Sequence, residues 1–206
     1  GPLFALLFLI VATIMYIILT TQTISLSGLS PDPTTLMTES KTATVPYTFE
    51  GENRSISVIV YEGAYEHLKH KKRSLFFVGV PPSEEEIINQ YVQQDAQIIL
   101  MQPLIKAIQE ITSNPDDQAR IAISIVQNIP YETGATEDGH IRYSYEVVYD
   151  NEGVCSEKAR LLSLMLQELG FGSAILRFYD ERHDAAGIAC SDNYDYKNTG
   201  YCFIET

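Results

Sequence analysis

Three side chains in the C-terminal half of this 206-residue chain have the types and the order that nucleophilic catalysis by a thiol requires. Cys155 could supply the nucleophile, His183 could accept its proton, and Glu205 could hold the imidazole in one tautomer. Taken singly, each has a plainer explanation as a buried cysteine, a structural histidine in a strand or a solvated glutamate. The ordered combination favours a catalytic site.

The helix predicted to begin at Cys155 has the clearest pattern in the chain. Cys155 and the apolar residues after it are spaced by threes and fours, so they share one face of the helix. The other residues on this face are Ala159, Leu162, Leu166 and Leu169. Gly153 permits close approach of the backbone before the helix, and Gly170 supplies a left-handed stop. A thiol at a helix N-terminus lies near free N–H groups, which favour the thiolate and could stabilise an oxyanion.

The partners of Cys155 follow on predicted strands. Residues 173–179 read as a strand, 183–190 as the next strand, and 201–205 as its hairpin partner. Adjacent strands facing the helix start would bring His183 and Glu205 to Cys155.

The two other cysteines lie near the ends of the loop between the last two strands. Cys190 and Cys202 could face each other as a disulfide, which would leave Cys155 as the free thiol, or they could be two separate buried thiols. A zinc site using Cys155, His183, Cys190 and Cys202 is the weaker interpretation, because none of these residues forms a short Cys-x-x-Cys pair. Asp192 and Asp195 lack the spacing of a calcium loop.

Two helical stretches precede this region. Residues 83–112 start with a Ser-x-x-Glu capping box and contain Pro103, which predicts a kink or break. Residues 114–129 restart a helix with proline in its first turn. Residues 55–61 alternate as in a strand. The basic cluster 69–73 is typical of a solvated turn, and contact with a membrane or a partner is the alternative.

The N-terminus is strongly apolar. Residues 1–20 are predicted to form a transmembrane anchor, while a signal segment and a pilin-like helix buried in an assembly stay open as alternatives. Residues 21–46 are rich in Thr, Ser and Pro and read as a linker. Residues 47–206 would then form a domain outside the cytoplasm, on a single-pass membrane protein.

Charge and motif content narrow the classes of function. The formal net charge of −13 argues against nucleic acid as the main partner, because phosphate binding requires a basic face. A glycine-rich phosphate loop after a strand is missing from the sequence, so we expect no nucleotide cofactor, and no other cofactor is indicated.

Four segments together resemble the core of the transglutaminase-like superfamily, with archaeal and bacterial membrane-associated members as the most similar group. These segments are Arg142–Glu146, Gly153–Gly170, His183 and Tyr201–Thr206. The resemblance covers about residues 116–206, less than half of the chain.

The resemblance implies a papain-like α+β fold in which the helix of the nucleophile packs on an antiparallel sheet. It implies Cys155 as nucleophile, His183 as general base and acid, and Glu205 as the residue that orients the histidine. Two positions depart from the family pattern: Val154 precedes the cysteine where the family often has Asp, and Glu205 replaces the usual Asp. Gln127 and Tyr131 are candidates for completing an oxyanion hole because they are predicted to lie near this core.

Two functions remain open from the sequence. The first is a cysteine hydrolase or acyltransferase that forms a thioester with a peptide or protein amide on Cys155, resolved by water or by an amine. The second is a non-catalytic structural or accessory subunit of a membrane complex or extracellular filament, in which the N-terminal helix contacts other subunits or copies.

Overall fold

The structure is a computed structural model, and it describes residues 32–71, 80–92, 95–132, 141–191 and 193–206. These residues form an α+β fold. A two-stranded antiparallel sheet comes first, helices occupy the middle of the chain, and a three-stranded antiparallel sheet comes last.

The first sheet is a long hairpin. Strand β1 (Ser40–Phe49) pairs with β2 (Glu52–Tyr61), and a two-residue turn, Glu50–Gly51, joins them with positive φ angles of 53° and 79°. Such angles match the twist of a tight hairpin. Alternate residues of both strands are buried, so the hairpin lays one face on the core. Residues 40–46, assigned to the linker from composition, are part of β1.

The helices follow in chain order. Helix α1 spans Glu62–Lys69, α2 spans Glu84–Val92, α3 spans Asp95–Ile111, α4 spans Pro115–Asn128, α5 spans Ser144–Asp150 and α6 spans Cys155–Glu168.

The sequence signals for two helix starts are confirmed. The Ser83 hydroxyl accepts a hydrogen bond from the Glu86 N–H at 3.2 Å, and the Glu86 carboxylate accepts one from the Ser83 N–H at 2.7 Å. Asn114 caps α4 by accepting a hydrogen bond from the Asp116 N–H at 2.9 Å. Helix α3 continues through Pro103 without a break.

The second sheet has the strand order β3-β4-β5, with β3 at Ser173–Phe178, β4 at His183–Ala189 and β5 at Tyr201–Ile204. All neighbouring pairs are antiparallel. Ile204, the last residue of β5, pairs with Ala186, so the chain after β5 runs along the start of β4. The sheet therefore positions residue 183 and residue 205 next to each other.

The core lies between the hairpin and the second sheet. Helix α4 packs on both β1 and α6, and α6 also packs on β3 and β4. Leu161, Leu162, Met165 and Leu166 of α6 are fully buried or nearly so. Since α6 begins at Cys155, burial of its apolar face fixes the position of that cysteine relative to β4.

The predicted membrane-spanning helix is the part of the fold prediction that has to be corrected. Within the described ranges, none of the helices combines the length and the apolar composition needed to cross a membrane. The longest, α3, has 17 residues and carries Lys106 and Glu110. Residues 1–20, on which the prediction rested, lie outside the described residues, as do linker residues 21–31. For the same reason, the structure does not support the predicted localisation as a single-pass membrane protein.

Candidate active site

Cys155 occupies the first position of α6. The preceding residue, Val154, is extended, and its N–H donates to the carboxylate of Glu157 at 3.0 Å. The space around Gly153 is tight: a Cβ there would lie 3.2 Å from a methyl carbon of Val147, so a larger residue would require Val147 to shift slightly. Cys155 is partly buried and carries a free thiol.

A parallel β-bridge joins Tyr131 to Gly153 and brings a second functional group to the cysteine. The Gly153 N–H donates to the Pro130 carbonyl and the Glu132 N–H donates to the Gly153 carbonyl, each at 3.2 Å. The pKa of Tyr131 is raised, first by burial of its hydroxyl and then by the adjacent Cys155 thiol, while the Cys155 backbone N–H opposes the rise. The bridge places Tyr131 next to the start of α6, and this residue is 56% exposed.

The other oxyanion-hole candidate lies elsewhere. The side-chain amide of Gln127 donates to the Glu205 carbonyl oxygen at 2.9 Å. Gln127 thus fixes the chain just after β5, and only Tyr131 of the two candidates is placed beside Cys155.

His183 and Glu205 form a hydrogen-bonded pair. The Nε2 atom of His183 lies 2.9 Å from one carboxylate oxygen of Glu205 and 3.2 Å from the other. The side chains are 30% and 57% exposed, respectively, so water also reaches the pair. With Nε2 occupied by the carboxylate, Nδ1 is the ring nitrogen left for exchange with another group.

Cys155 and His183 line the same cavity, of about 300 Å³. Its lining residues are Cys155, Ser156, Arg177, Phe178, Tyr179, Arg182, His183 and Asp184. Arg177 is bound by Asp184, with both guanidinium–carboxylate contacts at 2.8 Å. A substrate in this cavity would contact the thiol and the imidazole together, which is the arrangement that acyl transfer to sulfur needs.

A buried charge network lies behind Cys155. The guanidinium of Arg142 is within 3.4 Å of Glu157, 3.1 Å of Asp150 and 3.0 Å of Glu152, and it also contacts Glu132. The backbone N–H of Arg142 donates to the Glu157 carboxylate at 2.7 Å. Burial disfavours the charge of Arg142, but the surrounding carboxylates outweigh burial and raise its pKa.

This network joins the three segments that meet at the cysteine. Glu132 follows Tyr131, Glu152 precedes Gly153, and Glu157 lies in the first turn of α6. One guanidinium therefore fixes the residues on both sides of the thiol.

Lys158 is a second buried cation of the site. It is 4% exposed, and its ammonium donates to the Ile129 carbonyl oxygen at 3.0 Å. Burial lowers the pKa of Lys158, and the nearby charge of Glu205 partly offsets this. Lys158 thus joins the residue after α4 to α6, the helix that begins at Cys155.

Cys190 and Cys202 are joined by a disulfide between the end of β4 and the start of β5. They are therefore not free to bind zinc with Cys155 and His183. Within the part of the chain that the structure describes, no group of three or more His, Cys, Asp or Glu side chains is placed to hold a metal ion. Asp195 accepts a hydrogen bond from the Gly200 N–H at 2.8 Å, and Asp192 lies outside the described residues.

Comparison with known proteins yields little. No family model matches the chain, and no curated protein matches it. A similar solved structure is that of a "putative protease" from Parabacteroides distasonis, with 14% identity and a TM-score of 0.39. The match covers 70% of this chain, and this chain spans only 28% of that protein. A likeness at this level assigns neither a fold family nor an activity to this protein.

Sequence patterns hardly predict that Arg142, Glu157 and Lys158 belong to the site. The available signal for Glu157 is its place three residues into the predicted helix, where a carboxylate can accept a backbone N–H. For Arg142, the signal is a cation followed by several acidic residues before that helix. Neither pattern by itself predicts burial or contact with the nucleophile's surroundings.

Proposed function

We propose that this protein is a cysteine hydrolase or acyltransferase of the transglutaminase-like type, acting on an amide bond of a peptide or protein. One observation carries the proposal: Cys155, at a helix N-terminus, lines one cavity with His183, and the Nε2 atom of His183 is paired with Glu205. This arrangement supports the roles expected from the family resemblance.

The first half-reaction acylates the sulfur. His183 Nδ1 takes the thiol proton, and the Cys155 sulfur attacks the carbonyl carbon of the substrate. The resulting oxyanion accepts hydrogen bonds from N–H groups at the start of α6 and from the Tyr131 hydroxyl. His183 then gives its proton to the amide nitrogen, the C–N bond breaks, and the amine leaves a thioester on Cys155.

The second half-reaction releases the acyl group. Water or an amine loses a proton to His183, attacks the thioester carbonyl and expels the sulfur, which recovers the thiol state. Glu205 keeps the imidazole in one orientation throughout and stabilises it when it is charged. Hydrolysis and transfer differ only in which molecule attacks the thioester.

An activated ester tests this chemistry without knowledge of the natural substrate. Wild-type protein mixed with p-nitrophenyl acetate should release a burst of about one equivalent of nitrophenol and carry an acetyl group on Cys155, seen by peptide mass spectrometry. Cys155→Ser and His183→Ala should lose the burst. Methylamine added at the second step competes with water for the acetyl-enzyme. Acetate reports hydrolysis and N-methylacetamide reports transfer, so the ratio of the two products measures which reaction dominates.

The chain contains a matched control for His183. His70, the residue after α1, pairs with Glu66 at 3.0 Å but lies outside the cavity, so His70→Ala should keep the burst. A wild-type protein that gives no burst, or a burst equal in Cys155→Ser, would refute the catalytic assignment. Such a result would favour the alternative function, a non-catalytic structural or accessory subunit.

A further inference from the structure

Three aromatic rings form a closed cluster on the second sheet, which we call the aromatic cluster: Phe178, Tyr196 and Phe203. The Phe178 ring centroid lies 5.8 Å from that of Tyr196 and 5.9 Å from that of Phe203, and the last two rings are also 5.9 Å apart. Among the described residues, the hydrophobic core includes none of the three. The cluster is therefore a separate apolar patch, and Phe203 is 42% exposed.

The cluster is held by rigid parts of the fold. Phe178 is the last residue of β3, and Phe203 lies in β5. Tyr196 lies in the loop that the disulfide closes, and the bond from the Gly200 N–H to Asp195 constrains the same loop. Rings fixed in this way lose little conformational entropy when they bind a ligand.

The cluster is continuous with the candidate active site. Phe178 pairs with His183 in the β3–β4 register, and the ring centroids are 6.1 Å apart. Phe178 also lines the cavity that contains Cys155. An apolar surface that starts at the catalytic cavity and leads away from it is the usual form of a side-chain subsite.

We propose that the aromatic cluster binds a bulky apolar side chain, preferably aromatic, of a peptide substrate. This inference rests on the proposed function, because it assigns a substrate class to the same site. An extended peptide advances about 3.3 Å per residue, so two residues span about the 6.1 Å between the His183 and Phe178 rings. The first and second residues from the amide that Cys155 attacks are the positions at which the subsite is tested.

The geometry of the cluster favours an aromatic side chain. The Lys197 ammonium already lies 4.9 Å from the Tyr196 ring centroid. A phenyl ring would add an edge or face contact to the existing rings.

Peptidyl vinyl sulfones test the subsite directly. They carry Phe or Ala at the first or the second residue from the electrophile, and otherwise they are identical. Wild-type Cys155 should react about tenfold faster or more with the Phe probe than with the Ala probe at one of the two positions. Phe203→Ala should reduce this ratio several-fold, and Phe203→Leu should reduce it less. Circular dichroism of each variant monitors the fold.

Iodoacetamide separates failure of this inference from failure of the proposed function. It has no side chain, so its rate with Cys155 should be the same in wild type and in the Phe203 variants. Rapid iodoacetamide labelling without Phe/Ala discrimination at either position overturns the subsite alone. Slow labelling by iodoacetamide as well as by the peptide probes overturns the catalytic assignment.

Two further outcomes decide against the subsite. Tyr194→Ala removes a ring that is 78% exposed and outside the cluster, so it should leave the Phe/Ala ratio unchanged. An equal loss in Tyr194→Ala and Phe203→Ala would show that the effect is not specific to the cluster. If wild-type protein is a dimer that Phe203→Ala dissociates without changing the ratio, then the cluster is an interface between copies.

Discussion

The two sides of the candidate active site are built differently. The cysteine side (residues 132, 142 and 150–158) is partly or fully buried, and most of its charges are paired around Arg142. The histidine side (residues 178–183 and 196–205) is more exposed. It is held by one disulfide, by ring contacts and by the pair of His183 with Glu205.

Substitutions on the two sides should therefore affect different properties: folding free energy on the buried side and reaction rate on the exposed side. A charge removed from the buried side leaves its partners unpaired at low dielectric, which costs folding free energy. A charge removed from the exposed side is replaced by water, so the fold should tolerate its loss while the reaction should not. A buried cysteine side opposite a more exposed histidine side would suit a site that admits peptides.

The largest effect on stability is expected from Arg142→Met. The substitution leaves the carboxylates of Glu132, Asp150, Glu152 and Glu157 without their common cation, and it should cost about 3–5 kcal/mol in free energy of unfolding. The thermal midpoint should fall by about 10 °C. The control is Arg54→Met, whose pair with Glu50 is exposed at 3.7 Å and should cost less than about 1 kcal/mol. Equal losses in the two variants would contradict the proposed contrast.

A smaller effect, on rate and not on stability, is expected from Glu205→Gln. The amide cannot stabilise a charged imidazole, so the rate of acetyl-enzyme formation should fall by roughly 100-fold. The thermal midpoint should move by no more than about 2 °C, because the carboxylate is half-exposed. Stopped-flow measurement of the nitrophenol burst provides the rate. An unchanged rate would mean that Glu205 does not orient His183.

The smallest effect concerns the pH dependence of stability through Lys158. Burial lowers its folded-state pKa below the ordinary value of 10.5, so the unfolded chain binds more protons between those two values. Lys158 therefore makes stability rise with pH across this window. Lys158→Met should lack this contribution, so its stability relative to wild type should decline as pH approaches 10.5. Urea unfolding at several alkaline pH values measures the difference.

Lys106→Met is the matched control for this third prediction. Lys106 is exposed on α3, and its removal should leave the difference from wild type nearly flat with pH. A flat difference for Lys158→Met as well would show that burial does not affect the protonation of this lysine.

The local parts of the fold could be predicted from the sequence. The helix from Cys155 follows from its apolar spacing, and Gly170 at φ +92° provides the expected left-handed stop. Strand β1 could not be recognised as easily, because Ser, Thr and Pro conceal the alternation of Ala43, Val45 and Tyr47. Composition there is typical of a linker, whereas pairing with β2 makes it a strand.

The site could be predicted only in part. Residue types and chain order suggested His183 and Glu205, and the β4–β5 pairing places them within hydrogen-bonding distance. Their catalytic roles stay predictions. The Arg142 network depends on contacts among three separate segments, and spacing in the sequence does not encode such contacts. The membrane helix was predicted from the hydropathy of the apolar N-terminal residues alone.

Alkylation of Cys155 tests the central claim most directly. Near pH 7, iodoacetamide should modify Cys155 at least about tenfold faster than it modifies glutathione, because His183 in the same cavity would take the thiol proton. His183→Ala should abolish this advantage, whereas His70→Ala should retain it. A wild-type rate equal to that of glutathione, or an unchanged rate in His183→Ala, would contradict the account of Cys155 as an activated nucleophile.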